Sequence, residues 1–212
     1  MSATSHPNVH LVDHPLIRIR LTRLRDRETD SASFRRNLHE IAQLMVYEIT
    51  RSFPVKAVEV ETPLETTTGA IAERPMVLVP ILRAGVGMLN GILQILPDAQ
   101  IGHIGMYRDE ETLEPKSYYC NLPENIGEAD TLLIDPMLAT GASSVAAAAK
   151  LKEEGAGRIH FICLVSCPEG LETFVEAHPD IHVYTAAIDR QLNEKAYIVP
   201  GLGDAGDRYF GT

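Results

Sequence analysis

The feature that most restricts the fold of this chain is a set of short, continuously apolar runs separated by helix-length stretches. Residues 76–82 (MVLVPIL), 131–134 (TLLI) and 158–165 (RIHFICLV) carry almost no polar alternation. A strand apolar at nearly every position must be covered on both faces, which points to helices above and below the sheet. Helical stretches lie between these runs at residues 85–96, 143–154 and 168–177. Further strands are expected at 55–60, 100–107 and 182–188. In residues 34–51, Phe34, Leu38, Ile41, Leu44, Met45 and Ile49 recur at helical spacing and predict one core-facing stripe. The expected fold is α/β, a mostly parallel sheet flanked by helices. No repeat or low-complexity linker divides the chain. Residues 1–212 therefore read as one domain, with an N-terminal arm over 1–33 and a tail from about 188 to 212.

Charge and cysteine usage limit the function classes. A hydrophobic fraction of 45% over 212 residues supplies a core and excludes a disordered chain. Nineteen Lys and Arg against 29 Asp and Glu leave a net charge of −10, against a general nucleic-acid or anionic-membrane binder. Cys120, Cys163 and Cys167 are too few for a disulfide scaffold or a four-ligand zinc site and fit a reducing cytoplasm. The first residues lack the apolar core of a secretory signal, and no apolar run reaches the ~20 residues of a membrane span. An arginine-rich stretch (Arg18, Arg20, Arg23, Arg25, Arg27, Arg35, Arg36) reads as a solvated face or a subunit contact. His6, His10 and His14 are spaced by four, but Pro7 and Pro15 interrupt them, so a mobile terminus is expected rather than a metal site. Cys163 and Cys167, at a strand end, read as buried small hydrophobes rather than nucleophiles.

Ligands of open α/β sheets bind beyond the carboxyl ends of the strands. Two loops there carry chemistry. In residues 131–151 a strand leads to Asp135, then Thr140, Gly141, Ala142 and Ser143 open an alanine-rich helix. Small residues, two hydroxyls and a helix N-terminus suit a phosphate. The Walker pattern GxxxxGK[ST] and the dinucleotide pattern GxGxxG are both absent from the loop. In residues 79–88 (VPILRAGVGM), Arg83 follows a buried strand and precedes Gly85 and Gly87, placing a two-point phosphate grip in a tight turn. A third segment, residues 106–123, is polar and long enough for a flap carrying Arg108.

DPMLATGAS at 135–143 resembles the phosphoribosyl pyrophosphate signature of the type I phosphoribosyltransferases, in the form found in uracil phosphoribosyltransferases. VPILRAG, YRDEETLEP and the tail YTAAIDRQLNEKAYIVPGLGDAGDRYFGT resemble the same family in the same order. The resemblance implies transfer of ribose 5-phosphate from phosphoribosyl pyrophosphate to uracil, giving UMP and pyrophosphate. It implies that Asp135 holds the ribose hydroxyls and that Ala139, Thr140, Gly141, Ala142 and Ser143 hold the 5-phosphate, the wider run including Pro136, Met137 and Leu138. Arg83 and Arg108 would bind pyrophosphate, and Ile198, Gly203, Asp204 and Ala205 would meet uracil, with Asp204 also serving the phosphoribosyl group. Asp135, Arg108 and Asp204 would carry catalysis. Magnesium is the implied cofactor, held through phosphoribosyl pyrophosphate rather than by assigned protein ligands. The resemblance also raises GTP as an effector and a homodimer or higher homo-oligomer as the assembly. Ala142 replaces the second glycine usual in this branch and, as an early helical residue, should have negative φ. The rival reading is a regulator of the same fold that binds nucleotides or RNA without significant catalysis, which the arginine stretch keeps open.

Overall fold

The computed structural model describes residues 6–108 and 115–212. In chain order the elements are β1 (Val9–Leu11), α1 (Pro15–Arg25), α2 (Ser31–Ile49), β2 (Val55–Glu61), β3 (Thr66–Ala72), β4 (Met76–Leu82), α3 (Val86–Ile92), β5 (Gln100–Ile101), β6 (His103–Arg108) and β7 (Pro115–Asn121). They continue with β8 (Asp130–Ile134), β9 (Met137–Leu138), α4 (Ala142–Glu153), β10 (Arg158–Ser166), α5 (Pro168–Ala177), β11 (His182–Ile188), β12 (Gln191–Leu192), β13 (Ile198–Val199) and α6 (Ala205–Phe210). The main sheet runs β1-β11-β10-β8-β4-β6-β7. Its pairings are parallel except β6 with β7.

The apolar runs are apolar because each strand feeds two cores. Leu78, Leu132, Ile134, Ile162 and Leu164 face Phe34, Leu38, Ile41 and Met45 of α2. Their alternates Val77, Val79, Leu133, Phe161 and Cys163 face Ala147, Ala148 and Leu151 of α4 and Leu171 and Phe174 of α5. Phe161 and Phe174 stack at 4.7 Å between ring centroids. Burying such a side chain contributes about 1.5–3 kcal/mol, so both helix layers are held by the strands' own composition. Asp30 caps α2 by accepting a hydrogen bond from Ser33 N at 2.8 Å, a local signal that starts the helix.

Several expectations need correction. Residues 55–60 do form a strand, but it pairs antiparallel with β3 as a separate ribbon outside the main sheet. The helix expected over 85–96 is regular only from Val86 to Ile92. The N-terminal histidines are not a loose end: β1 adds to the sheet edge, His10 Nε2 lies 2.8 Å from His182 Nδ1, and His14 caps α1. Four of the stretch's arginines lie in α1, whose Ile17, Leu21 and Leu24 are buried, and Arg35 and Arg36 lie in α2; part of its charge is internal rather than solvated. Among the described residues no helix is long and apolar enough to cross a membrane.

Chain order places the site. After β4 the chain moves to β6 on one side, and β8 then pairs on the other side of β4. The carboxyl ends of β4 and β8 therefore flank the point where strand order reverses, where a crevice must open.

Candidate active site at the carboxyl ends of the strands

Asp135 follows β8 directly. Its backbone N–H donates to Ile162 O at 3.1 Å and its Oδ1 accepts from Met137 N at 3.3 Å. Pro136 is buried, and its carbonyl accepts from Leu164 N and Val165 N at 3.0 Å each. Leu138 is fully buried in the core beneath α4. Pro136 and Leu138 thus anchor the segment to β10, while Asp135, Met137 and Ala139 line the cleft above it. The left-handed residue is Gly141, at φ 83°, and its carbonyl accepts the first helical bond from Val145 N at 2.8 Å. Ala142 begins α4 without positive φ, as expected from sequence. Ala142→Gly is therefore expected to cost at most ~1 kcal/mol in the first turn and to leave affinity for whatever anion this loop receives within threefold. Thermal melts and saturation curves check this, and a large gain in affinity would show that alanine strains the loop.

Two glycines let the neighbouring elements close on this loop. A Cβ at Gly170 of α5 would lie 2.3 Å from Ala139 O, and one at Gly85 would lie 2.4 Å from Ile134 O. The Arg83 loop is thereby pressed against the end of β8. Arg83 is exposed, and its guanidinium carbon stands 5.7 Å from the centre of the Phe210 ring. Arg108 ends β6 at the same edge of the sheet, since β6 runs parallel to β4; its side chain lies outside the described residues, as do positions 109–114 of the expected flap.

The tail supplies the facing wall. Asn193 Oδ1 accepts from Lys195 N and Tyr197 N at 3.0 Å each, turning the chain between β12 and β13, and Ala196 takes φ 61° in this turn. Asp204 caps α6 by accepting from Asp207 N at 2.9 Å, and Ala205, the first residue of α6, is buried. The two walls enclose a cleft of about 500 Å³ lined by Ala84, Asp135, Met137 and Ala139 on the sheet side and by residues 195–198 and 203–206 of the tail. Ile198, Gly203, Asp204 and Ala205 thus meet Asp135 in one cavity. Lys195, Ala196 and Tyr197 also line it and were not picked out from sequence. The signal for them was the Asn193 turn within the tail motif.

Burial pushes the Asp135 carboxyl up to about 7, with the nearby Asp204 charge adding to the rise and the Met137 N–H opposing it. A carboxylate whose protonation changes near neutrality, at the floor of a cleft, is the electrostatic mark of a reactive site.

The sequence model of the uracil phosphoribosyltransferase family matches residues 11–212. The chain belongs to the uracil phosphoribosyltransferase family. A protein of that name from Polaromonas naphthalenivorans is 54% identical over 206 residues, covering 97% of this chain and 99% of its own. A solved protein of Aquifex aeolicus is 34% identical with a TM-score of 0.90, covering 96% of this chain and 98% of that one. A hypoxanthine phosphoribosyltransferase from Staphylococcus aureus has a TM-score of 0.52 at 13% identity over 79% of this chain and 85% of its own, a likeness of fold alone. The type I phosphoribosyltransferase fold expected from the motifs is therefore the observed one.

The cysteines are not nucleophiles. Burial pushes the Cys163 thiol up to about 12 and that of Cys167 to about 11, so neither is a thiolate at neutral pH.

Proposed function

We propose that the protein transfers the 5-phosphoribosyl group of phosphoribosyl pyrophosphate to uracil, forming UMP and pyrophosphate. The observation that carries this reading is the single cleft that joins Asp135, after β8, to Ile198, Gly203, Asp204 and Ala205 of the tail in a chain of this family. Breaking the bond from the anomeric carbon to pyrophosphate builds positive charge on the ribose and negative charge on the leaving group. Catalysis then rests on positioning and on fixed charges. In this reading Asp135, ionised, accepts hydrogen bonds from the ribose hydroxyls and offsets the developing positive charge. Ala139, Thr140, Gly141, Ala142 and Ser143 receive the 5-phosphate at the start of α4, Arg83 and Arg108 hold pyrophosphate, and the tail holds the base.

Asp135 and Asp204 are two carboxylates on one cavity, and the described residues contain no group of three or more His, Cys, Asp or Glu placed to hold a metal. Such a donor set would suit magnesium arriving on phosphoribosyl pyrophosphate, one or two carboxylates beside the phosphates. The ion would neutralise charge on the leaving group. Asp135 and Asp204 would orient it.

The assembly proposed is a homodimer or larger homo-oligomer. The β2–β3 ribbon supports it: Leu64 at its tip is 95% exposed, Val55 67%, and an isolated two-stranded ribbon is marginal in water. GTP as an effector rests on the resemblance alone, and a cytoplasmic location on the few, unpaired cysteines. The RNA-binding rival is not favoured in a −10 chain of this family.

The direct test supplies phosphoribosyl pyrophosphate, magnesium and each free base in turn and looks for nucleotide; UMP alone is expected, and its absence refutes the reading. Arg83→Lys should raise the Michaelis constant for phosphoribosyl pyrophosphate about tenfold, because lysine keeps the charge and loses the planar two-point grip. The same change at Arg108 should act mainly on turnover in the closed complex. Saturation kinetics on both variants check this, and unchanged constants would place pyrophosphate elsewhere.

A further inference from the structure

The tail between Ile198 and Ala205 has almost no regular structure of its own, and residues from the opposite end of the chain hold it. Gly201 stands at its centre with φ 59°; a Cβ there would lie 2.2 Å from Ile198 O, so the turn is too tight for any other residue. Both polar backbone groups of Gly201 are taken. Its N–H donates to Asp189 Oδ2 at 2.8 Å, and its carbonyl accepts from an Arg25 terminal nitrogen at 2.8 Å. Arg25, in turn, donates two parallel bonds of 2.7 Å to the Asp189 carboxylate. Asp189 is fixed in place because it directly follows β11 and its own N–H donates to Ser166 O at 2.8 Å. The next residue is held from the same helix end. Arg208 of α6 donates to Leu202 O at 2.7 Å, to Asp26 O at 2.6 Å and to Leu24 O, with its guanidinium carbon 4.6 Å over the Phe34 ring.

We infer that Arg25 and Asp189 are positioning residues for the base: together they set the Gly201 turn that aims Ile198 on one side and Gly203 to Ala205 on the other into the cleft. This deepens the reading of the tail as the uracil site and rests on it. The pair is mostly buried, with side-chain exposures of 24% for Arg25 and 7% for Asp189, so water does not replace it cheaply. Arginine is needed because one guanidinium must satisfy a carboxylate in two places and a carbonyl as well, which an ammonium on a flexible stem does poorly. Among the described residues no hydrogen bond joins Arg25, Asp189 or Gly201 directly to residues 135–143, so the phosphate end of the ligand should feel the change less than the base, Asp204 being the tail's own contribution to it.

The test uses full-length Arg25→Gln, Arg25→Lys and Asp189→Asn, with Ala205→Val as a reference variant, assayed well below their melting temperatures. Arg25→Gln is expected to raise the Michaelis constant for uracil about tenfold or more, the scale of losing hydrogen bonds to a charged group. The constant for phosphoribosyl pyrophosphate, to which the tail contributes Asp204 alone, should rise by at most about threefold. Arg25→Lys, the milder change, should fall between wild type and Arg25→Gln. The double variant Arg25→Gln/Asp189→Asn should be no worse than about threefold beyond the worse single one, since the two groups act as one unit. Melting curves separate this from a general loss of structure: a fall in stability that weakens both substrates equally overturns the inference. If Ala205→Val raises the uracil constant while Arg25→Lys and Arg25→Gln leave it unchanged, the base site stands and the positioning role falls. If Ala205→Val has no effect on uracil, the base site itself is misplaced and the inference falls with it.

Discussion

Asp135→Asn should leave the fold intact and lower turnover by ~10²-fold or more, the scale on which one preorganised charge facing a developing opposite charge acts. The carboxylate sits where the loop after β8 meets the tail, beside Asp204, and no described cation is paired with it in the ligand-free protein. Its raised value, about 7, makes the same variant informative in two further ways. First, in the proposed reading the ionised form accepts hydrogen bonds from the ribose hydroxyls. The wild-type kcat/KM for phosphoribosyl pyrophosphate should therefore fall below an apparent pKa near 7, and the variant should lose that limb. Second, a carboxyl whose folded value lies above its unfolded 3.8 stabilises the fold fully at pH below 3.8, and that contribution is lost as pH rises towards and through about 7. The loss is of the order of 4 kcal/mol by pH 8. Asparagine is neutral throughout, so the ligand-free variant should melt above wild type at pH 8 and the gap should close at pH 4. Near wild-type turnover at saturating substrates would remove Asp135 from the mechanism.

Cytosine should be a very poor substrate, by 10³-fold or more. Uracil presents two carbonyl acceptors flanking a ring N–H and carries no charge, so closely approaching backbone groups can read it. Gly201 and Gly203, at φ 59° and 81°, give the tail the sharp turns such an approach needs. Cytosine turns one acceptor into a donor and the ring donor into an acceptor; each buried group left unpaired costs ~1–3 kcal/mol, and two mismatches multiply. Ala205 is buried at the start of α6 and lines the cleft, so Ala205→Val adds bulk there without removing a side-chain hydrogen bond. Its expected signature is a raised Michaelis constant for uracil with that for phosphoribosyl pyrophosphate little changed. Paired saturation curves decide it. Equal use of cytosine, or a defect confined to phosphoribosyl pyrophosphate, would displace the base site from the tail.

Much of this was legible without coordinates. The doubly buried strands announce themselves because burial on both faces forbids polar alternation, and β4, β8 and β10 lie close to where the runs placed them. The Asp135 loop was legible for a local reason as well: glycine before a helix, with small and hydroxylic neighbours, follows from the backbone demands of a helix start. Locally encoded features of this kind need no partner to be recognised.

What escaped depends on contacts between residues far apart in sequence. The ribbon of β2 and β3 reads like any strand until its pairing is known, and β1 is three residues that become a strand only by joining β11. Arg25 lies 164 positions from Asp189 and 176 from Gly201, so nothing near it in the chain distinguishes it from the solvated arginines of the same stretch. Lys195 and Tyr197 reach the cleft only because the Asn193 turn folds the tail over the sheet. The sequence by itself determined the layered α/β fold, the turn that opens α4 and the family, since periodicity and contiguous motifs are properties of neighbouring residues. Tertiary structure alone decided which cleft the motifs share, why the Asp135 carboxyl titrates near neutrality and what braces the tail. Burial, electric fields and long-range hydrogen bonds exist only once distant segments of the chain are brought together.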